Sequence, residues 1–173
     1  MKIGIISDTH DNLTAIDHAI GLFKADNVGL VIHLGDFVAP FSVKRFLDCG
    51  IPIKAVFGNN DGEKKLIREF FASNKDGVIF ESVGEIEVSG RKIAFTHGHH
   101  EHVLESLILS KKYDVVLSGH THRIKTEKIN GVLHLNPGEA GAWLFGKGSV
   151  IILDAESLTY EIKEYNIQHS TEA

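Results

Sequence analysis

The sequence is poor in cysteine, in runs of basic residues and in long apolar stretches, and each shortage excludes a class of protein. Cys49 is the single cysteine among 173 residues, which excludes an internal disulfide framework and predicts a reducing, cytoplasmic location. The formal net charge is −5, and without a long Lys/Arg run we expect no general binding to nucleic acid or anionic membranes. No apolar stretch approaches the roughly 20 residues that cross a bilayer, and the N-terminal apolar run is too short for a signal peptide.

Histidine, by contrast, is abundant. The chain has 11 histidines, and seven of them lie between His97 and His134. Four fall in the short segment THGHHEH, residues 96–102. Such a run is a nonspecific metal-binding tract, a solvated loop or one corner of an enzyme site. The rest of the chain decides among these three interpretations.

The order of the predicted elements favours a single α/β domain. In the first 75 residues, patterns of buried strands alternate with amphipathic helices, the first over 12–26, which predicts a parallel sheet covered by helices. In the second half strands outnumber helices, and Ser89-Gly90 marks a hairpin, so part of the sheet is expected to be antiparallel. We assign residues 1–168 to this domain and expect 169–173 to be a frayed C-terminal tail.

Polar residues of a few kinds follow five of the predicted strands. Because ligand sites in open α/β sheets lie beyond the carboxyl ends of the strands, these residues are expected to meet at one edge. Turns favour Asp, Asn and Gly but have no special preference for His, and three of the five strand ends carry His. The candidate metal ligands at these ends are Asp8, His10, Asp36, Asn59, His97, His120 and His122.

This candidate set combines two carboxylates, one amide and four imidazoles. Asp8 and His10 are one residue apart, so at strand spacing their side chains share a side, and His120 and His122 repeat the arrangement. Seven donors are too many for one ion and suit two ions roughly 3.5–4 Å apart, provided that one carboxylate bridges them. Oxygen and nitrogen donors without thiolate favour Mn, Fe, Co, Ni or Zn over Mg or Ca.

The order of these motifs resembles the signature of the calcineurin-like metallophosphoesterase superfamily. The motifs are DTH from Asp8, GD ending at Asp36, GNN including Asn59, His97, and GHTH ending at His122. The short length and the GNND variant resemble the small phosphodiesterase branch of that superfamily, the YfcE/Vps29-like group. The resemblance implies a single-domain, four-layer α/β/β/α sandwich of two mixed sheets.

The resemblance also implies how two divalent transition-metal ions are held, with Mn²⁺ or Ni²⁺ favoured and Fe, Co or Zn as alternatives. One ion is assigned to Asp8, His10, Asp36 and His122, and the other to Asp36, Asn59, His97 and His120, with Asp36 bridging. A water between the two ions would lose a proton, and the hydroxide would attack phosphorus in line with the leaving oxygen. The expected activity is hydrolysis of a small phosphodiester.

Asn60 departs from the pattern of many relatives, which have His at this position. Asn cannot act as a general acid, a role that typically contributes ~10²–10⁴-fold, so modest turnover and a preference for good leaving groups are expected. Asn60 can still donate a hydrogen bond to a phosphoryl oxygen, and His99 is a second catalytic candidate, as an acid or a phosphate contact. His100 and His102 are expected to begin a helix, which leaves His97 as the one ligand from THGHHEH.

Several other residues have a structural and a functional interpretation. His33 and His134 are expected to be packed within strands, and Asn136, in the turn NPGE, to support a ligand. Arg123 either is solvated or contacts the substrate. The apolar cluster of Trp143, Leu144 and Phe145 fits core packing, a subunit interface or a platform for a substrate base.

Two other functions compete with the phosphodiesterase. A protein-interaction scaffold of the Vps29 type, with vestigial metal binding, is disfavoured because the full ligand set is present. A phosphomonoesterase is disfavoured by Asn60 and by the lack of long insertions. A homo-oligomer is compatible with the sequence.

Overall fold

Strands and helices alternate along the first half of the chain, as the apolar patterns predict, and strands dominate the second half. The computed structural model describes residues 1–167, so the predicted frayed tail at 169–173 lies outside the described residues. The elements are β1 (Lys2–Ile6), α1 (Leu13–Ala25), β2 (Leu30–His33), α2 (Pro40–Leu47), β3 (Ile53–Val56), α3 (Lys64–Ser73), β4 (Gly77–Phe80), β5 (Val83–Val88), β6 (Arg91–Thr96), α4 (Glu101–Leu109), β7 (Val115–Leu117), β8 (Ile124–Ile129), β9 (Val132–Pro137), β10 (Lys147–Asp154) and β11 (Tyr160–Asn166).

The strands form two mixed sheets. The six-stranded sheet has the order β11-β10-β1-β2-β3-β4, in which β1 to β4 are parallel and β10 and β11 are antiparallel to their neighbours. The five-stranded sheet has the order β5-β6-β7-β9-β8, with parallel β6, β7 and β9 flanked by antiparallel β5 and β8. The predicted hairpin at Ser89-Gly90 joins β5 to β6.

Three apolar clusters separate four layers. The first lies between the six-stranded sheet and helices α1 to α3, and it contains Phe23 and Phe46. The second lies between the two sheets and contains Ile5 and Phe95, and the third joins the five-stranded sheet to α4 through Ile108. Full burial of one such side chain contributes about 1.5–3 kcal/mol. The layers confirm the α/β/β/α sandwich.

Local sequence signals explain where the first two helices begin. The Asn12 side chain accepts a hydrogen bond from the backbone N–H of Ala15 and so caps the N-terminus of α1. Pro40 occupies the first turn of α2, where no backbone N–H is needed. Both helices thus begin directly after a loop at the carboxyl end of a strand, and these loops carry candidate ligands.

The carboxyl ends of the central strands of both sheets lie at one edge of the molecule. There the backbone N–H of Asp8 donates to the Gly35 carbonyl, and that of Gly119 donates to the His97 carbonyl. The two sheets approach closely at this edge, since a Cβ on Gly119 would overlap Oγ of Ser7. Glycine at 119 therefore allows the backbone of this loop to lie directly against the side chain of Ser7.

Two edge strands were missed by the sequence patterns. β4 is only partly buried, and β8 is mostly polar, so neither shows the apolar contrast of an interior strand. Both are formed by pairing with a neighbour, β3 and β9 respectively. Within residues 1–167, none of the helices has the length and apolar character needed to cross a membrane.

Candidate metal centre

Five of the predicted ligands have left-handed backbone conformations. The φ angles are 54° at Asp8, 41° at His10, 60° at Asp36, 69° at His120 and 58° at His122. The strands that precede the first two and the last two of these ligands end at Ile6 and Leu117, so both pairs lie in loops. The expectation that strand alternation aligns each pair was therefore wrong. Residues other than glycine rarely adopt φ above zero, and such strain concentrates at functional sites.

Asp8, His10 and His122 form the first cluster of donor atoms. Asp8 Oδ1 lies 3.8 Å from His10 Nε2 and 3.4 Å from His122 Nε2, and the two imidazole rings stack with centroids 5.2 Å apart. Asp8 is fully buried, and its Oδ2 accepts a hydrogen bond of 3.0 Å from the backbone N–H of His120. The three side chains are close enough to hold one metal ion.

Asp36 and His97, with Asp8, form a second cluster. His97 Nε2 lies 3.5 Å from Asp36 Oδ2 and 3.0 Å from Asn59 Oδ1, and the His120 ring stands edge-on to the His97 ring at 5.1 Å. Asp36 Oδ2 also lies 3.6 Å from His10 Nε2. Asp8 therefore belongs to both clusters, Asp36 of the second cluster also faces His10 of the first, and the structure brings all seven predicted residues together.

Hydrogen bonds orient the rings of His97 and His122. His97 Nδ1 donates to the carbonyl of Leu34 at 2.8 Å, and His122 Nδ1 donates to Glu139 Oε2 at 3.1 Å. In the neutral rings this leaves Nε2 unprotonated and facing a carboxylate, the arrangement usual for metal-bound histidine. Sequence reasoning missed Glu139, which it interpreted only as part of a turn.

The donor set fits divalent metal ions. With its proton on Nδ1, the neutral His97 ring presents Nε2 as an acceptor. This atom faces a second acceptor, Asn59 Oδ1, and a cation between the two would remove their repulsion. Asp8 Oδ1 and His10 Nε2 are buried without a hydrogen-bond partner among residues 1–167. Leaving such atoms unpaired is costly, so a shared cation accounts for both. The donors are oxygen and nitrogen, the combination that suits transition-metal ions.

Burial and neighbouring charges within the clusters shift the pKa values of Asp8, Asp36 and His97. Burial raises the pKa of Asp8, against the opposing effect of nearby His97. Burial also opposes ionisation of Asp36, but His97 and hydrogen bonds from Asn60 hold its pKa well below the usual range. Despite burial, the two carboxylates raise the pKa of His97. Asp36 is thus ionised between imidazoles, which favours the binding of cations.

Asp61 fixes two of the loops that carry candidate ligands. Its Oδ2 accepts hydrogen bonds from the backbone N–H groups of Asp36 at 3.1 Å and Gly58 at 2.7 Å. The GD and GNN motifs are therefore joined through one buried carboxylate. The last residue of GNND is this orienting residue, a role that sequence reasoning did not assign.

His33 and Asn136 support two further loops. His33 is fully buried, and its Nδ1 accepts the backbone N–H of Gly35, so Nε2 of the neutral ring donates to Thr9 Oγ1. Burial lowers the pKa of His33 well below its usual value. Asn136 Nδ2 donates to the carbonyl of Gly119, beside His120. The prediction of a packed histidine at 33 is confirmed, as is the supporting position of Asn136.

The two predicted catalytic residues occupy different positions. Asn60 donates to both oxygens of Asp36, from its backbone N at 2.8 Å and from Nδ2 at 2.7 Å. The His99 ring lies 5.3 Å from the His97 ring, and its buried Nδ1 has no hydrogen-bond partner among residues 1–167. His100 and His102 are exposed at the start of α4, as predicted. His97 is therefore the member of THGHHEH that joins the clusters.

The apolar cluster of Trp143, Leu144 and Phe145 is exposed beside the site. The exposed fractions are 53%, 67% and 55%, so the core-packing interpretation was wrong. Trp143 Nε1 donates to the carbonyl of His10 at 3.1 Å, which ties this loop to the first donor cluster.

Comparison with known proteins identifies the family. Residues 1–158 match the calcineurin-like phosphoesterase superfamily domain. Phosphodiesterase MJ0936 of Methanocaldococcus jannaschii is 44% identical over 160 residues, which cover 92% of this chain and 96% of that protein. A solved structure described as a novel archaeal phosphodiesterase superposes with a TM-score of 0.90 at 43% identity, covering 95% of this chain and 100% of that one. A single mutant of Vps29 from Entamoeba histolytica, at 17% identity, shares the fold with a TM-score of 0.70 over 96% of this chain and 100% of its own. The chain therefore belongs to the calcineurin-like phosphoesterase superfamily.

Proposed function

We propose that the protein is a phosphodiesterase that depends on two divalent transition-metal ions. The observation that carries the proposal is the position of Asp36, whose Oδ2 lies 3.6 Å from His10 Nε2 and 3.5 Å from His97 Nε2. One carboxylate thus faces both clusters, as a bridging ligand must. The similarity to a protein named phosphodiesterase at 44% identity supports the same reaction.

The ligands divide as the family resemblance implies. Asp8, His10, Asp36 and His122 would hold one ion, and Asp36, Asn59, His97 and His120 the other. Mn²⁺ and Ni²⁺ are the favoured metals, with Fe, Co and Zn as alternatives. When bound, such a pair lowers the pKa of a water molecule and offsets charge on the phosphoryl oxygens.

The protein's own residues orient this centre and the substrate. Leu34 and Glu139 hold the rings of His97 and His122 with Nε2 toward the carboxylates. Asn60 fixes both oxygens of Asp36, and we assign it this positioning role beside its predicted contact to a phosphoryl oxygen. The His99 ring is partly exposed and lies 5.3 Å from the His97 ring, which suits its predicted contact to a phosphoryl oxygen.

A metal-reconstitution assay tests the proposal. The protein is stripped of metal, Mn²⁺ or Ni²⁺ is added, and turnover of bis-p-nitrophenyl phosphate is compared with turnover of p-nitrophenyl phosphate. We expect faster turnover of the diester. A preference for the monoester would favour the phosphomonoesterase instead, and no turnover of either would favour a scaffold of the Vps29 type.

The Asp36→Ala variant tests the bridging role. We expect it to lose both ions and its diesterase activity, whereas two retained ions would refute the assignment. Asp17→Ala is the matched control, because Asp17 is exposed on α1 and pairs with Arg45 on the surface. A cytoplasmic location, a small phosphodiester substrate, the lack of general nucleic-acid and membrane binding, and a homo-oligomeric state stay predictions.

A further inference from the structure

A pocket of about 380 Å³ lies beside the candidate ligand His122, and its walls include Arg123, Ile124, Phe145 and Lys147. We propose that this pocket binds a nucleobase. The base belongs to the ester group that stays on the phosphate after hydrolysis, so the substrate class is a nucleoside phosphodiester. The inference rests on the proposed phosphodiesterase activity and specifies the class of its substrate. None of the predicted metal ligands other than His122 lines this pocket.

The walls of the pocket suit a flat aromatic ring. Phe145 is 55% exposed, and the Arg123 guanidinium lies over its ring, 5.8 Å from the centroid. Ile124, 38% exposed, adds an apolar surface. Aromatic rings and arginine planes are the usual stacking partners of bases, because every base presents a π-face. The volume of the pocket falls within the size range of small-molecule sites.

The position of Phe145 is coupled to the metal centre through Glu139. Oε1 of this carboxylate accepts the backbone N–H groups of Leu144 at 2.9 Å and Phe145 at 2.8 Å. Its other oxygen, Oε2, accepts the hydrogen bond from His122 Nδ1. One buried side chain therefore sets the distance between the stacking surface and a candidate ligand. The backbone of Phe145 is thus fixed relative to His122, and its ring remains exposed for contact with a ligand.

The walls of the pocket carry charged side chains of both signs in equal number. Arg123 and Lys147 contribute two positive charges to its walls. The two acidic residues are Glu139, whose oxygens are already hydrogen-bonded, and Glu164. Because the candidate ligand His122 lines the same pocket, the nucleoside of a phosphodiester held at the metals would reach the surface formed by Arg123 and Phe145.

Two substrates with the same leaving group test the inference. Thymidine 5′-(p-nitrophenyl phosphate) carries a base, methyl p-nitrophenyl phosphate does not, and both release p-nitrophenol. With the Mn²⁺-loaded enzyme, we expect a KM about tenfold lower for the thymidine ester. Phe145→Ala should raise that KM about tenfold with little change in kcat, leave the methyl ester unaffected, and be rescued by Phe145→Tyr.

Leu144→Ala is the matched control, because Leu144 is 67% exposed on the same loop but does not line the pocket. It should behave like the wild type with both esters. If Phe145→Ala changes the KM of both esters equally or of neither, the nucleobase pocket is refuted while the diesterase activity stands. If neither ester is hydrolysed, the proposed function fails, and this inference fails with it.

Equilibrium binding gives a readout that does not depend on turnover. Trp143 is the single tryptophan of the chain and neighbours Phe145, so its fluorescence reports on this loop. We expect AMP to quench it with about tenfold higher affinity than ribose 5-phosphate, and Phe145→Ala to remove the difference. Equal affinities of the wild type for the two compounds would overturn the inference.

Discussion

At the scale of single residues, the site depends on orienting groups as much as on the candidate ligands. His97 is held by a backbone carbonyl, His122 by Glu139, and Asp36 by Asn60. The ligand positions could be predicted from the sequence because they recur as short motifs at strand ends. Their orienting partners could not, because a backbone carbonyl has no sequence signal and Glu139 lies 17 residues from His122.

Glu139→Gln tests the orienting role. The amide keeps the size of the side chain but removes the carboxylate that fixes His122, so metal affinity should fall about 10–100-fold. The measurement is the Mn²⁺ concentration that half-activates diester hydrolysis. Glu127→Gln is the control, since Glu127 accepts a hydrogen bond from His134 Nδ1 at 2.9 Å but does not line the donor clusters. An unchanged half-activating concentration in Glu139→Gln would contradict the role.

His134 gives the fold a dependence on pH. Burial, opposed by Glu127, lowers the pKa of His134 below its ordinary value of 6.5. The unfolded chain therefore takes up the proton at a higher pH than the folded chain does. The contribution of neutral His134 to the free energy of unfolding is complete above about pH 6.5 and is lost as the pH falls below it. In His134→Gln, the free energy of unfolding should fall less steeply between about pH 6.5 and pH 5. Urea unfolding at several pH values measures this slope, and an equal slope in both proteins would refute the prediction.

At the scale of elements, buried strands and amphipathic helices were predictable because their apolar patterns have a fixed period. The edge strands β4 and β8 were not, because they are partly exposed and depend on their partner strands. The sequence predicted which residues the loops carry but not the backbone conformations that bring them together. Asp8 and His10 meet through left-handed backbone conformations, which hydrogen bonds between loops hold and which no periodicity encodes.

Gly119→Ala tests the close approach of the two sheets. Its Cβ would overlap Oγ of Ser7, and relief of such overpacking typically costs about 1–3 kcal/mol of stability. Activity should fall as well, because the displaced loop carries His120. Gly21→Ala is the control, since a Cβ there meets no atom within 4 Å in the middle of α1. It should stabilise the protein by about 0.5–1 kcal/mol. Equal unfolding free energies for the two variants would refute the packing argument.

At the scale of the whole molecule, the four layers bring the carboxyl ends of strands from two sheets to one edge. The resemblance to the superfamily predicted this architecture, and the three apolar clusters confirm it. Residues far apart in the chain meet there: the backbone N–H of His120 donates to Asp8 Oδ2 across 112 positions of sequence. The sequence offered the apolar cluster that contains Phe145 as one possible platform for a substrate base, but its connection to His122 through Glu139 follows only from the folded structure.

A metal titration determines whether two metal ions act together at Asp36. Metal-depleted protein receives increasing Mn²⁺, and bound metal and turnover of bis-p-nitrophenyl phosphate are measured on the same samples. We expect bound metal to saturate at about two ions per chain and turnover to rise with the second ion. Full turnover with one bound ion, or without metal, would contradict this expectation.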